Sequence, residues 1–243
     1  MSSSTEPLSL AHPDRRTIRS LFNRISSKYD LLNSFLSLGL EHHWRRQAVE
    51  LSLTGLECSI LDLGAGTGKS LAAFLAARRF EQAIGCDFSE DMLERAEKRL
   101  GSLASFVVCD FHELPFPSNT FDLVTGSFIL RSVQEMGPFL SEVKRVLKAG
   151  GKAVFLELTR PANAFIWRCL YWPYLRFYVP LVGQLVSRHE NAYQFLSQSI
   201  QAFPNPEELR KQFEACGFLD LSLRPLSLGV ATLIQGFKGE TDE

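Results

Sequence analysis

A glycine loop set between a strand-like run and a helical one decides most of what this chain can become. Asp62-Leu63-Gly64-Ala65-Gly66-Thr67-Gly68-Lys69-Ser70 ends the apolar run CSILDLG and opens SLAAFLAARRF, whose apolar residues recur at helical spacing. The rhythm then repeats. QAIGCDF and SEDMLERAEKRL read as strand and helix, and SFVVCDF as a third strand. After the turn-rich ELPFPSNT come the strand FDLVTGSF, the helix EMGPFLSEVKRVL, the stop AGG and the strand KAVFLEL. A helix, PEELRKQFEACGF, precedes two last strand-like runs, LDLSLRPL and GVATLIQGF. Strands alternating with helices imply a parallel sheet covered on both faces. The expected fold is therefore α/β, a doubly wound and mostly parallel sheet of seven strands.

Two segments flank that core. Residues 14–52 read as cap helices, because Leu21, Phe22 and Ile25, then Leu31, Leu32, Phe35, Leu36 and Leu40, recur three and four apart, with Pro13 as a start signal. Residues 1–13 read as a flexible tail, lacking the apolar core of a secretory signal. Residues 161–200 break the rhythm and read as an aromatic insertion over the site, leaving 53–160 and 201–243 as the core of one domain over 14–243.

The spacing of the loop narrows its ligand. Free backbone N–H groups and the helix dipole collect where a helix opens, so something small binds there. A phosphate-binding P-loop needs glycine where Leu63 stands, and a dinucleotide fingerprint needs glycine where Lys69 stands. What remains is G-x-G-x-G with an acid, Asp62, just before it. Asp87, at the end of the second strand and 19 residues past Gly68, can accept from both ribose hydroxyls, or it can serve the start of the helix near Ser89. Asp110 at the end of the third strand can accept from an adenine amine with Phe111 alongside, or it can be a strand-end turn acid.

Charge and cysteine usage exclude other classes. With 26 Lys and Arg against 27 Asp and Glu there is no positive field for nucleic acid. The five cysteines show no metal-ligand spacing, so no metal is expected, and they read as apolar fillers in a reduced, cytosolic compartment.

The glycine loop resembles the first motif of class I S-adenosylmethionine-dependent methyltransferases. More selectively, the stretches FNRISSKYDLLNSFLSLGLEHHWRR (22–46), LDLGAGTG (61–68), ELPFPSNTFDLVTGSFILRSV (113–133), LELTRP (156–161) and AYQFLSQSIQAFPNPEEL (192–209) resemble the ubiquinone/menaquinone biosynthesis C-methyltransferase family, from about Phe22 to Phe237. The resemblance implies a class I fold, S-adenosyl-L-methionine as cofactor, and methylation of a ring carbon of a prenylated hydroquinone. It carries Gly64, Gly66, Thr67, Gly68, Asp87, Asp110, Phe111 and Ser127 onto cofactor contacts. It places Arg131 near the reacting ring and Tyr29 in the Lys-Tyr-Asp motif that folds over the cofactor. The base that takes the phenol proton stays open among a water relay, Tyr29, His42 and His43, although the two histidines read first as polar faces of a surface helix.

Glu157, at the end of the fifth strand, lies at the sheet edge where ligands bind in such folds. Between Arg160 and Arg188 four arginines and no acids are interleaved with Phe165, Trp167, Tyr171, Trp172, Tyr174, Phe177 and Tyr178. That mix suits a membrane interface, so residues 160–188 are expected to receive a prenyl tail or to dock on anionic lipid, or else to pack as an aromatic lid. The corresponding location is cytoplasmic, peripheral at the inner face of a membrane; a homodimer is left open. Three positions depart from the family: Ser132 stands where Asn is usual, Ile129 where Gly is usual, and GVATLIQGF lacks a histidine. They leave room for another phenol or lipid as acceptor, or for a non-catalytic cofactor-binding subunit.

Overall fold

The computed structural model describes residues 29–179 and 199–240. Its strands are β1 (Ser59–Leu63), β2 (Gln82–Asp87), β3 (Ser105–Val108), β4 (Phe121–Ser127), β5 (Leu147–Leu158), β6 (Phe218–Leu226) and β7 (Ala231–Lys238), joined in the order β3-β2-β1-β4-β5-β7-β6. The first five are parallel, and β7 runs antiparallel between β5 and β6. The helices are α1 (Tyr29–Leu36), α2 (Leu40–Ser52), α3 (Lys69–Ala77), α4 (Glu90–Leu100), α5 (Met136–Val146) and α6 (Pro206–Ala215). Because the chain leaves β1 in one direction and returns beside it as β4, a crevice opens at the carboxyl ends of those two strands, where ligands bind in open α/β sheets.

Period-two burial builds two cores, one on each face of the sheet. Leu61, Leu63, Val124 and Phe155 join Phe139, Val143 and Phe213 on one face. Ile60, Leu123, Val154 and Leu156 join Trp44, Leu71 and Phe74 on the other. All five residues of β1 are buried, as a strand covered on both faces must be. Truncating Phe155 to Ala would cost about 3–5 kcal/mol by leaving a cavity in the first core.

Within the cap expected over 14–52, Leu38 and Gly39 adopt positive φ and separate α1 from α2; residues 14–28 lie outside the described ones. Two sequence expectations need correction. The stop AGG lies inside β5. The strand begins at Leu147, opposite Phe121, and pairing resumes at Lys152 opposite Leu123, so Lys148–Gly151 are looped out with Gly150 at φ +70°. Cys86 and Cys109, read as fillers, are buried but also joined in a disulfide with Cα atoms 6.1 Å apart; Cys86 lies in β2 opposite Val107, and Cys109 follows just past the end of β3. The other three cysteines are free thiols.

Residues 164–179 of the aromatic insertion are helical, with π-helical turns at Trp167–Tyr171 and Tyr174–Tyr178. Tyr171, Leu175 and Val179 pack with Ile200. The hydroxyls of Tyr174 and Tyr178 donate to the carbonyls of Leu36 and Phe35, tying the segment to the end of α1. The remainder of the insertion, 180–198, lies outside the described residues. Among the described residues no helix is long and apolar enough to cross a membrane.

Candidate active site

The loop between β1 and α3 turns on glycines in left-handed conformations. At Gly64, φ is +63° and a Cβ would sit 2.1 Å from Cγ2 of Ile129. At Gly68, φ is +79° and a Cβ would press on Ala96 of α4 at 3.1 Å. The first glycine thus lets the backbone face the crevice, and the second lets α4 close behind the loop.

Asp87, at the end of β2, serves the loop and the next helix together. Its Oδ2 accepts from the Gly66 N–H at 2.9 Å and its Oδ1 from the Ser89 N–H at 3.0 Å. Burial pushes its carboxyl up to about 6, against those hydrogen bonds. Ser89 itself caps α4 by accepting from Met92 N–H. Asp87 thus serves the start of α4, as one reading expected, orients the loop, and faces the cavity that the loop lines.

That cavity is lined by Gly64, Gly66, Asp87, Phe88, Met92, Phe111, Ser127, Phe128, Ile129 and Ser132. Of the residues expected at the site, Gly64, Gly66, Asp87, Phe111 and Ser127 come together here. Ser127 shares a 2.8 Å hydrogen bond with Ser70. Thr67 and Gly68 stand in the loop behind. Asp110 is more exposed, and its Oδ1 accepts from the backbone N–H of His112 and pairs with its ring at 3.1 Å. Arg131 is not on the cavity wall: its guanidinium lies 8% exposed, with Nε 2.6 Å from fully buried Glu157 and an Nη donating to Ser199. Tyr29 heads α1, but its side chain lies outside what the structure describes. His42 is largely exposed, as a polar helix face should be.

Other residues beside the cavity matter here, among them the acid that precedes the glycine loop. Asp62 is fully buried near the end of β1, and the Leu71 backbone N–H is the donor that faces its carboxylate. Burial pushes its carboxyl up to about 8, with Arg45 opposing and Asp87 reinforcing the shift. Phe128 adopts φ +63°, rare for a bulky residue, and its ring lies under the Arg45 guanidinium at 5.4 Å and tilted against Trp44. Strain of this kind persists where the surroundings over-determine the backbone, as they do at ligand sites.

An ionic clasp holds the cap helices onto the loop. Asp30 of α1 accepts from the Thr67 hydroxyl at 2.6 Å and pairs with Arg99 of α4 at 2.5 Å. Lys69, whose charge opposes the dipole at the start of α3, reaches Glu41 at 2.8 Å and the Asp30 carbonyl. Glu41 also pairs with Arg45 at 2.6 Å and accepts from Ser34. Burial works against its ionisation, yet Arg45 and Lys69 overcome it and hold the carboxyl at about 2. The signal available in the sequence was Lys69 itself, a cation at a helix start that demands a partner.

Comparison with known proteins gives the family and the fold. The sequence pattern of the ubiE/COQ5 methyltransferase family matches residues 11–238. The ubiquinone/menaquinone biosynthesis C-methyltransferase UbiE of Desulfotalea psychrophila is 36% identical over 222 residues, 91% of this chain and 90% of its own length. A demethylmenaquinone methyltransferase of Thermotoga maritima is 39% identical over 216 residues, 89% of this chain and 93% of its own. Among solved structures, a SAM-dependent methyltransferase of T. maritima superposes with a TM-score of 0.63 at 20% identity, covering 91% of this chain and 99% of that one. Fold, loop and family agree on S-adenosyl-L-methionine as the cofactor, and by its matched residues the chain belongs to the ubiE/COQ5 methyltransferase family.

Proposed function

We propose that this chain transfers a methyl group from S-adenosyl-L-methionine to a ring carbon of a prenylated hydroquinone, with residues 14–243 acting as one catalytic domain. The observation that carries the reading is the turn 129–132, which joins two halves of a site. Ile129 and Ser132 line the cofactor cavity, while Arg131 between them is directed to Glu157. The names of the relatives in the family support the choice of acceptor.

The residues fit the cofactor. A Cβ would fill the cradle at Gly64, and the buried Asp62 carboxylate has capacity left for a donor such as an ammonium group. Thr67 and Gly68 complete the loop; Asp87 on the cavity wall is assigned to ribose, Phe111 with the more exposed Asp110 to adenine, and Ser127 to the reacting end. When bound, the cofactor supplies a methyl group already activated on a sulfonium. The chain must make the acceptor carbon nucleophilic, and removal of the neighbouring phenol proton does so. Arg131 stabilises the phenolate through directed N–H donors; a guanidinium stays protonated, so it is not the base. The phenol proton goes to a water relay, Tyr29, His42 or His43.

The acceptor's tail belongs to a bilayer, and an exposed face of the segment 164–179 suits one. Phe165 and Phe177 are about two-thirds exposed and Trp172 is 41% exposed, with Arg168 and Arg176 exposed among them. We assign this face to anionic lipid, which places the protein peripherally on a membrane.

The test is incubation with methyl-labelled S-adenosyl-L-methionine and, separately, reduced demethylmenaquinone and a demethylated ubiquinol analogue. Label extracted into organic solvent with either quinol supports the reading. Cofactor binding without label in either one refutes it. Ile129 and Ser132 on the cavity wall favour a second reading, another phenol as acceptor, which the same assay reports when simple phenols are offered.

A further inference from the structure

We propose that Glu157 is the positioning residue for Arg131, an inference that rests on the role just given to Arg131. Glu157 ends β5 at the carboxyl edge of the sheet, with its side chain fully buried. Its Oε1 accepts from Arg131 Nε at 2.6 Å and from the N–H of Leu158 at 2.8 Å, and its Oε2 accepts from the backbone N–H of Arg131 at 3.3 Å. One carboxylate therefore holds the main chain and the side chain of the same arginine. Leu158 in turn fixes the carboxylate to the strand. Ser199 takes one Nη at 3.0 Å, so the guanidinium is pinned from β5 and from the end of the insertion.

The chemical consequence follows from charge. A guanidinium this buried would carry an unmatched charge without its partner, and the pair is formally neutral. What Arg131 offers a developing phenolate is thus the direction of its N–H donors rather than a free positive field, and Glu157 sets that direction. Tyr171, buried in the segment 164–179, lies near enough to feel the charges of both groups.

A double-mutant cycle on the full chain tests this. Glu157→Asp keeps the charge and shortens its reach by one methylene, so the fold is retained while the guanidinium moves. The expected result is a fall of about 30-fold in kcat, with KM for the quinol and Kd for S-adenosyl-L-methionine within twofold, because misplacing a positioned group by about 1 Å costs rate on this scale. In an Arg131→Ala background the same change should cost less than twofold. Independently of turnover, the 15Nε–1Hε resonance of Arg131, assigned by its loss in Arg131→Lys, should be slowly exchanging in the native protein and shifted or lost in Glu157→Asp and Glu157→Gln. If Arg131→Ala keeps native turnover, the reading of Arg131 has failed and this inference falls with it. If Arg131→Ala is inactive while Glu157→Asp keeps native kcat or an unmoved Nε resonance, the inference alone is overturned.

Discussion

The two halves of the site are built in different ways. Around β1, β2 and the glycine loop, recognition rests on backbone and short side chains at strand ends: Gly64, Gly68, Asp62 and Asp87 lie within one βαβ unit. Around the ends of β4 and β5 it rests on side chains brought from far apart, such as Arg131, Glu157, Ser199 and Tyr171. A site made of backbone tolerates almost no added atom, whereas a site made of paired side chains responds to the position of each partner. The first half is suited to one invariant ligand. The second can be retuned for different acceptor rings by changing a few residues.

The largest expected effect attacks the rigid half. Gly64→Ala places a Cβ in a left-handed residue and 2.1 Å from Ile129, and should weaken S-adenosyl-L-methionine binding at least 1,000-fold, about 4 kcal/mol, by calorimetry. A mild loss would break the contrast, because the loop would then yield as side chains do.

Next is the clasp that joins the cap to that half. Glu41→Ala leaves Arg45 and Lys69 with an unmatched buried charge and should cost about 3 kcal/mol in urea unfolding at pH 7. The sign with pH follows from a carboxyl held at about 2 against an ordinary 4.5: its stabilisation is complete above pH 4.5 and is lost as pH falls towards 2. The gap between native and variant protein should close over that window.

Asp62 sharpens the contrast in the opposite sense. With its folded carboxyl raised to about 8, it is protonated in the fold and ionised in the unfolded chain between pH 4 and 8, so stability falls as pH rises through that range. Asp62→Asn should flatten this slope, add about 1 kcal/mol to the ligand-free protein at pH 8, and lower cofactor affinity about tenfold.

The smallest effect lies on the exposed face of 164–179. Trp172→Ala with Phe177→Ala should reduce cosedimentation with anionic vesicles about fivefold, roughly 1 kcal/mol, and leave cofactor binding unchanged. Unchanged cosedimentation assigns those aromatics to the protein alone.

The same division explains what the sequence disclosed. The sheet, its order of strands and helices, and the acids at its strand ends were legible because each rests on a local pattern: alternating burial, a helix start, an acid at a strand end. The bulge in β5 was not, because AGG stops a helix as readily as it loops out of a strand, and only the pairing of Leu147 with Phe121 decides between them. The break at Gly39 hid within an unbroken apolar rhythm. The links of Asp30 to Thr67 and of Arg131 to Glu157 span 37 and 26 residues, so neither has a spacing to betray it.

The most direct test of the account is a single-turnover experiment in which native protein and Arg131→Ala are loaded with methyl-labelled S-adenosyl-L-methionine and mixed with a reduced demethylmenaquinone. The account predicts cofactor Kd values within twofold of each other and a rate of label transfer at least 100-fold lower in the variant. Loss of cofactor binding in parallel with transfer, or transfer at the native rate, would contradict the assignment of cofactor and acceptor to separate halves of the site.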